Sequence, residues 1–262
     1  MNGATTSTDA SQGGERLVDV DHLTMAYGDY VVQRELTFSV VRSQIFVVMG
    51  DSGSGKSTLL RHMIGLEAPR AGDVFYRGQA YWNSPADVRE RLRAKFGVLF
   101  QGGALLSSLT LGENVGLPLV EHLRLDPRQA REVAATKLAL VGLAGCEDHY
   151  PDEVSGGMKN RAGLARSLAL DPEIVFLDEP SAGLDPLSAR RLDDLVLELR
   201  DSLGTTFIVV THELPSIFAI ADDSIFLDGG RHVMAAQGNP RELLASSPDP
   251  KVRAFLARGR LP

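Results

Sequence analysis

Gly50-Asp51-Ser52-Gly53-Ser54-Gly55-Lys56-Ser57-Thr58 decides the fold, because of what flanks it. Ile45 to Met49 is an apolar run that reads as a strand. Lys56 to Leu66 repeats Leu59, Leu60, Met63 and Ile64 at helical spacing. Glycines between a strand and a helix permit a tight loop whose backbone N–H groups point inward at an anion. The helix behind it adds the partial positive charge of its N-terminus. Lys56 brings a full charge to β- and γ-phosphates, and Ser57 offers a hydroxyl to Mg²⁺. A glycine-rich turn before a helix is the bland alternative, and the complete motif in this context outweighs it.

A phosphate cradle needs a second site for the metal and the attacking water. Ile174-Val175-Phe176-Leu177-Asp178-Glu179 supplies a continuous apolar strand ending in two acids. Asp178, at the strand's carboxyl end, can reach Mg²⁺, and Glu179 can polarise a water. Alone the pair would read as a solvated loop start; joined to the cradle it reads as the catalytic edge.

Outward from these two motifs the chain alternates strands and helices. Leu17 to Val20, Leu36 to Val41, Phe96 to Phe100 and Phe207 to Val210 read as strands. Helical spacing marks residues 127 to 141, the stretch from Ser155 to Leu170, and a helix from Pro186 that Gly204 stops. Asp228-Gly229-Gly230 between apolar runs reads as a hairpin. The expected fold is α/β, with a mainly parallel sheet, an antiparallel amino-terminal part and a helical subdomain inserted at about residues 88 to 169. Residues 1 to 15 are polar and read as a disordered tail, residues 16 to 246 as the domain, and 247 to 262 as a helical, basic tail. Lys251, Arg253, Arg258 and Arg260 in that tail are expected to have little to pack against.

With 262 residues, 44% of them hydrophobic and 23% charged, the chain can bury a substantial core. A net charge of -7 argues against a general nucleic-acid binder, which needs a basic face. Arg89, Arg91, Arg93 and Lys95 form a short basic cluster that reads as a solvated helix face. A lone Cys146 excludes an intrachain disulfide and fits a reducing compartment. With no signal-peptide pattern and no apolar run of about 18 residues, the chain is expected neither to cross nor to enter a membrane by itself.

The next residues carry a resemblance. Val154-Ser155-Gly156-Gly157-Met158 precedes a helix and is similar to the signature of ABC ATPases, usually Leu-Ser-Gly-Gly-Gln. A hydroxyl and two unobstructed N–H groups at a helix N-terminus make a second anion site. One nucleotide needs one γ-phosphate cradle, so a second suggests two nucleotides shared across a dimer. Gln101 resembles the Q-loop glutamine, Ser181-Ala182-Gly183-Leu184-Asp185 the D-loop, His212 the switch histidine, and Tyr27 the aromatic residue that stacks on adenine. The resemblance covers about residues 16 to 246. It implies a P-loop NTPase of ABC type, with a RecA-like core, that hydrolyses ATP with Mg²⁺. It casts Glu179, His212 and Gln101 as catalytic, and Ser57, Gln101 and Asp178 at the metal. The other histidines (His22, His62, His122, His149, His232) show no ligand spacing.

The stretch Phe96 to Leu119, with Gly97-Val98-Leu99-Phe100-Gln101, Glu113-Asn114-Val115 and Pro118-Leu119, looks like the ATPase of Mla-type phospholipid transporters. Met158 agrees with that group. Leu105, Leu106, Leu109 and Leu111 would either receive a permease's coupling helix or pack the helical subdomain. The resemblance implies a homodimer on the cytoplasmic face of the inner membrane, under YrbE/MlaE-like permease subunits. An MCE-domain protein and a STAS-domain protein are the further partners it implies. The competing readings are the ATPase of a polar-solute importer and a non-transport ABC ATPase, such as an iron–sulfur assembly factor.

Overall fold

The computed structural model describes residues 14–258; the calls on residues 1 to 13 and on Arg260 lie outside them. β1 (Arg16–Tyr27) and β2 (Tyr30–Val41) form a long antiparallel pair, extended by β4 (Ala71–Tyr76) and β5 (Gln79–Ala80) in the order β2-β1-β4-β5. Both long strands exceed the apolar runs that announced them, because polar residues such as Asp21 and Arg34 occupy their outer positions.

A second sheet holds β3 (Ile45–Gly50), β6 (Phe96–Leu99), β7 (Ile174–Asp178), β8 (Thr206–Val210), β9 (Asp223–Asp228) and β10 (Val233–Gln237). Its order is β10-β9-β3-β8-β7-β6, parallel throughout except for the β9–β10 hairpin. The apolar runs are continuous because both faces are covered. Ile45, Val47 and Met49 point into one core cluster with Phe207 and Val209; Phe46 and Val48 point into the other with Ile208 and Val210. Phe38 of β2 stacks on Phe46 at 5.3 Å between ring centroids, joining the two sheets. In a parallel sheet the loops after β3, β7 and β8 leave from one edge, and the motifs are there.

Helices α1 (Lys56–Met63) and α2 (Ala86–Arg93) follow β3 and β5; α3 (Leu111–Leu123), α4 (Pro127–Leu140) and α5 (Gly156–Ser167) form the helical part. Thr110 with Glu113 and Asp126 with Gln129 close capping boxes on α3 and α4, satisfying N-terminal N–H groups in pairs. The expected subdomain at 88 to 169 is corrected at one point. β6 lies inside that range yet pairs with β7 as the edge of the parallel sheet, because a strand's sheet is set by its partner and not by its sequence neighbours. α6 (Pro186–Leu203) and α7 (Leu214–Ile220) cover the other flank, followed by α8 (Pro240–Ser246) and α9 (Pro250–Ala257).

Two further expectations change. Leu111 is fully buried core and Leu105 packs against the same cluster, so of the four leucines only Leu106 is exposed. The basic tail is not unpacked: Val252, Phe255 and Leu256, spaced to share one helix face, are buried, and Phe255 meets Phe226 at 5.1 Å. Lys251 and Arg258 make ion pairs on the body of the domain. No helix among the described residues is long and apolar enough to cross a membrane.

Candidate active site

The loop after β3 wraps the start of α1. Gly53 and Gly55 take φ of 77° and 95°, where a side chain would be strained. A Cβ on Gly55 would stand 2.7 Å from Val32. Lys56 is buried in this cradle, its Nζ donating to the carbonyls of Gly50 (3.0 Å) and Asp51 (3.1 Å). Burial pulls its pKa down, and the negative charges of Glu179, Asp51 and Asp178 oppose that pull.

The two acids lie beside it. Ser57 Oγ donates to Asp178 Oδ1 at 2.9 Å, although 121 residues separate them in the chain. Burial raises the Asp178 pKa, partly offset by the Ser57 bond. Two hard oxygen donors at this contact suit Mg²⁺, which prefers carboxylate and hydroxyl oxygen. Glu179 hangs from a backbone at φ 48°, outside the strand geometry of the residues before it. Its N–H donates to Val210 at 2.8 Å, and its Oε1 meets His212 Nδ1 at 2.8 Å. Its other oxygen, Oε2, is buried and finds no partner among the described residues.

A cleft of about 490 Å³ gathers these groups. Its lining includes Ser52, Gly53, Gly55, Lys56, Ser57, Thr58, Gln101, Glu179 and His212. Tyr27, Tyr30 and Val32 form its other wall; both tyrosines are exposed, and Tyr27 is steadied by a 2.7 Å bond to Glu67. The volume and lining suit a nucleotide-sized ligand with a polyphosphate at the lysine end and a planar ring at the tyrosine end.

Ser155, Gly156 and Gly157 are not part of this cleft. They open α5 elsewhere on the surface, with Ser155 capping its own helix through Met158 N–H at 3.3 Å. The D-loop and the start of α6 adjoin them: a Cβ on Gly156 would meet Leu184 at 3.7 Å, and one on Gly157 would meet Ser188 at 3.4 Å. Asp185 caps α6 by accepting from Leu187 and Ser188, and the buried Ser181 hydroxyl has no partner among the described residues.

Two supporting residues, Gln33 and Asn160, escaped the sequence reading, and a third, Asn114, entered it only within the stretch that carries the resemblance. Gln33 of β2 is fully buried beneath the cradle, its Nε2 donating to Ser54 O (2.8 Å) and Asp228 O (3.2 Å). Asn114 accepts from Leu106 N–H and donates to the carbonyls of Leu106, Leu109 and Thr110, clamping the segment after Gln101. Asn160 of α5 donates to Pro180 O at 2.7 Å, tying the signature helix to the residue after Glu179. A polar residue inside an otherwise buried face was the available signal in each case.

Residues 33–182, more than half of the chain, match the family described as ABC transporter. The intermembrane phospholipid transport system ATP-binding protein MlaF of Escherichia coli K12 is 39% identical over 248 residues, covering 94% of this chain and 90% of that protein. The probable ribonucleotide transport ATP-binding protein mkl of Mycobacterium tuberculosis H37Rv is 38% identical over 244 residues, covering 93% of this chain and 67% of that protein. Among solved structures, CbiO1 of Clostridium perfringens, part of an ABC transporter complex, superposes with a TM-score of 0.80 at 26% identity, over 88% of this chain and 92% of that one. A dimeric ATP-binding cassette in a post-hydrolysis state, bound to ADP and Pi, gives 0.77 at 28% identity, over 85% and 98%. The chain belongs to the ABC transporter family and is an ATP-binding, ATP-hydrolysing subunit of that kind.

Proposed function

We propose that this subunit powers a lipid transporter, hydrolysing ATP in the cleft between the Gly50–Thr58 loop and Glu179. The observation that carries the lipid reading is 39% identity to an intermembrane phospholipid transport ATPase over nearly its full length. Backbone N–H groups of the loop and Lys56 hold the β- and γ-phosphates, and Tyr27 stacks on adenine. Ser57, Asp178 and Gln101 are the residues that would hold Mg²⁺, whose charge would offset that of the β- and γ-phosphate oxygens.

Glu179 orients a water through its free Oε2 and polarises it toward the γ-phosphorus. The new O–P bond forms as the bond to the β,γ-bridging oxygen breaks, leaving ADP and phosphate, with the water's proton passing toward Glu179. His212, on the other carboxylate oxygen, fixes the orientation of that side chain. Two copies of the chain close on two ATP molecules, each held by one loop and by the partner's signature turn, with Ser181 and Asp185 at the junction. The dimer sits at the cytoplasmic face of the inner membrane under permease subunits, with an MCE-domain protein and a STAS-domain protein as further partners.

The mycobacterial relative, named for ribonucleotide transport, sets the competing reading of a polar cargo. Affinity purification from detergent-solubilised membranes separates them. Co-elution of a permease carrying phospholipid above the bulk membrane composition supports lipid transport. A permease whose ATPase coupling responds to nucleotides or another polar solute and not to lipid overturns it.

A further inference from the structure

Asp51 is the only acid in the phosphate-binding loop. Its carbonyl oxygen accepts from Lys56 Nζ at 3.1 Å, so its backbone belongs to the cradle, while its carboxylate is half-exposed at the rim. A carboxylate on the loop that carries Lys56 repels the phosphate oxygens the same loop must hold. Left alone, Asp51 would weaken binding of the most highly charged nucleotide.

The chain's last helix brings two cations to this acid. Arg258 Nη1 lies 3.4 Å from Asp51 Oδ1, and Lys251 Nζ lies 3.9 Å from Asp51 Oδ2. The two residues are seven apart, two helical turns, and so share one face of α9. The helix is held in place by the adjacent face: Val252, Phe255 and Leu256 are buried, and Asp249 caps the helix at Lys251 N–H. Lys251 also pairs with the buried Asp228, whose backbone carbonyl accepts from Gln33 beneath the same loop. The Arg258 guanidinium stands 6.0 Å from the Phe255 ring. The cations are thus carried by a docked helix that approaches the cradle from outside the nucleotide motifs.

We infer that α9 is a built-in counter-charge for the nucleotide site: Lys251 and Arg258 offset Asp51 and so raise the affinity for polyphosphate. Both are positioning residues, acting through Asp51 and the local field and not by contact with ATP. The inference rests on the Gly50–Thr58 loop holding ATP phosphates, which Lys56→Ala tests separately by losing binding altogether.

The test is equilibrium titration of the full chain with fluorescent mant-ATP and mant-ADP, at about 50 mM and about 0.5 M salt. Arg258 is exposed, so Arg258→Ala leaves the buried Asp228 network in place and is the cleaner variant; Lys251→Ala supports it. Exposed ion pairs are worth little, so Arg258→Ala should weaken mant-ATP binding about two- to fivefold at low salt, mant-ADP less, and neither appreciably at high salt. Arg258→Lys should restore affinity. Asp51→Asn should tighten mant-ATP binding by a similar factor, and Asp51→Asn with Arg258→Ala should return near the parent value. A loss equal for both nucleotides and indifferent to salt would mean a merely structural helix, and unchanged mant-ATP affinity in Arg258→Ala at low salt would overturn the proposal outright.

Discussion

The loop at Gly50–Thr58 and the turn at Ser155–Gly157 are built from the same parts: small residues, free N–H groups and the start of a helix. Their surroundings differ completely. Lys56 belongs to the first, and Asp178 with Glu179, Gln101 and His212 converge on it from three other segments. The second has none of this: Ser155 and Gly156 are exposed, and the Ser155 hydroxyl is spent on its own helix. A helix N-terminus supplies partial charge wherever it occurs, but holding a γ-phosphate takes full counter-charge and exclusion of water. One chain provides these at the first site only. The second site gains them when another copy's loop and nucleotide are brought to it, which is the physical content of the proposed dimer.

The largest expected effect breaks the first region while leaving the second alone. Glu179→Gln keeps the side chain's size and its contact with His212 but cannot take the proton of the attacking water. Turnover should fall by about 10² to 10⁴, the usual cost of a positioned general base. Lys56, Ser57 and Asp178 are untouched, so ATP still binds, and with Mg-ATP the variant should run as a dimer by light scattering. A monomer at saturating ATP, with permease subunits present, would remove the composite site. Ser155→Arg is the converse change. It leaves the cis cleft intact and fills the trans turn with a bulky side chain, so nucleotide binding should persist while the dimer is lost. Turnover should fall by roughly 10², as when one oxyanion-type donor is removed. A Ser155→Arg chain that dimerises normally would show that the signature turn lies off the interface.

The unequal legibility of the two regions has a physical cause. The cradle was readable because its requirements are local: glycines for positive φ, a lysine, a hydroxyl, a strand before and a helix after. The acids were readable because a strand buried on both faces must be apolar and must end at the sheet's edge. What closes the site is non-local. Gln33 donates to Asp228 O across 195 residues, and nothing in either neighbourhood announces the other. Glu179 leaves strand geometry while its N–H still bonds Val210 in the neighbouring strand. β6 was visible as an apolar run, but its membership in the parallel sheet depends on register with β7. α9 was expected as a helix but its packing was not. Its charges suggested a segment with little to pack against, whereas Val252, Phe255 and Leu256 already had the spacing of a buried face.

The effect expected to touch turnover least concerns α6, which starts at the D-loop and links the two regions. Asp193 is 5% exposed, with Ser216 Oγ donating to its Oδ2 at 2.9 Å, in a pocket it shares with Ser181, Gly183 and Glu213. Burial pushes its pKa up from 3.8 to about 6, with Asp194 adding to the rise and Ser216 and Arg190 opposing it. The folded protein therefore binds this proton more tightly than the unfolded chain does. Between those two values the unfolded chain ionises first, so stability falls as pH rises through the window and the full penalty stands above it. Asp193→Asn keeps an acceptor for Ser216 and carries no charge. Its stability relative to the parent should be unchanged near the lower end of the window and greater by about 3 kcal/mol at neutral pH, since each pKa unit is worth about 1.4 kcal/mol. Urea unfolding of both proteins at several pH values measures the difference. A gap that does not widen with pH would mean that Asp193 ionises in the fold as readily as in the open chain, with Ser216 and Arg190 outweighing its burial.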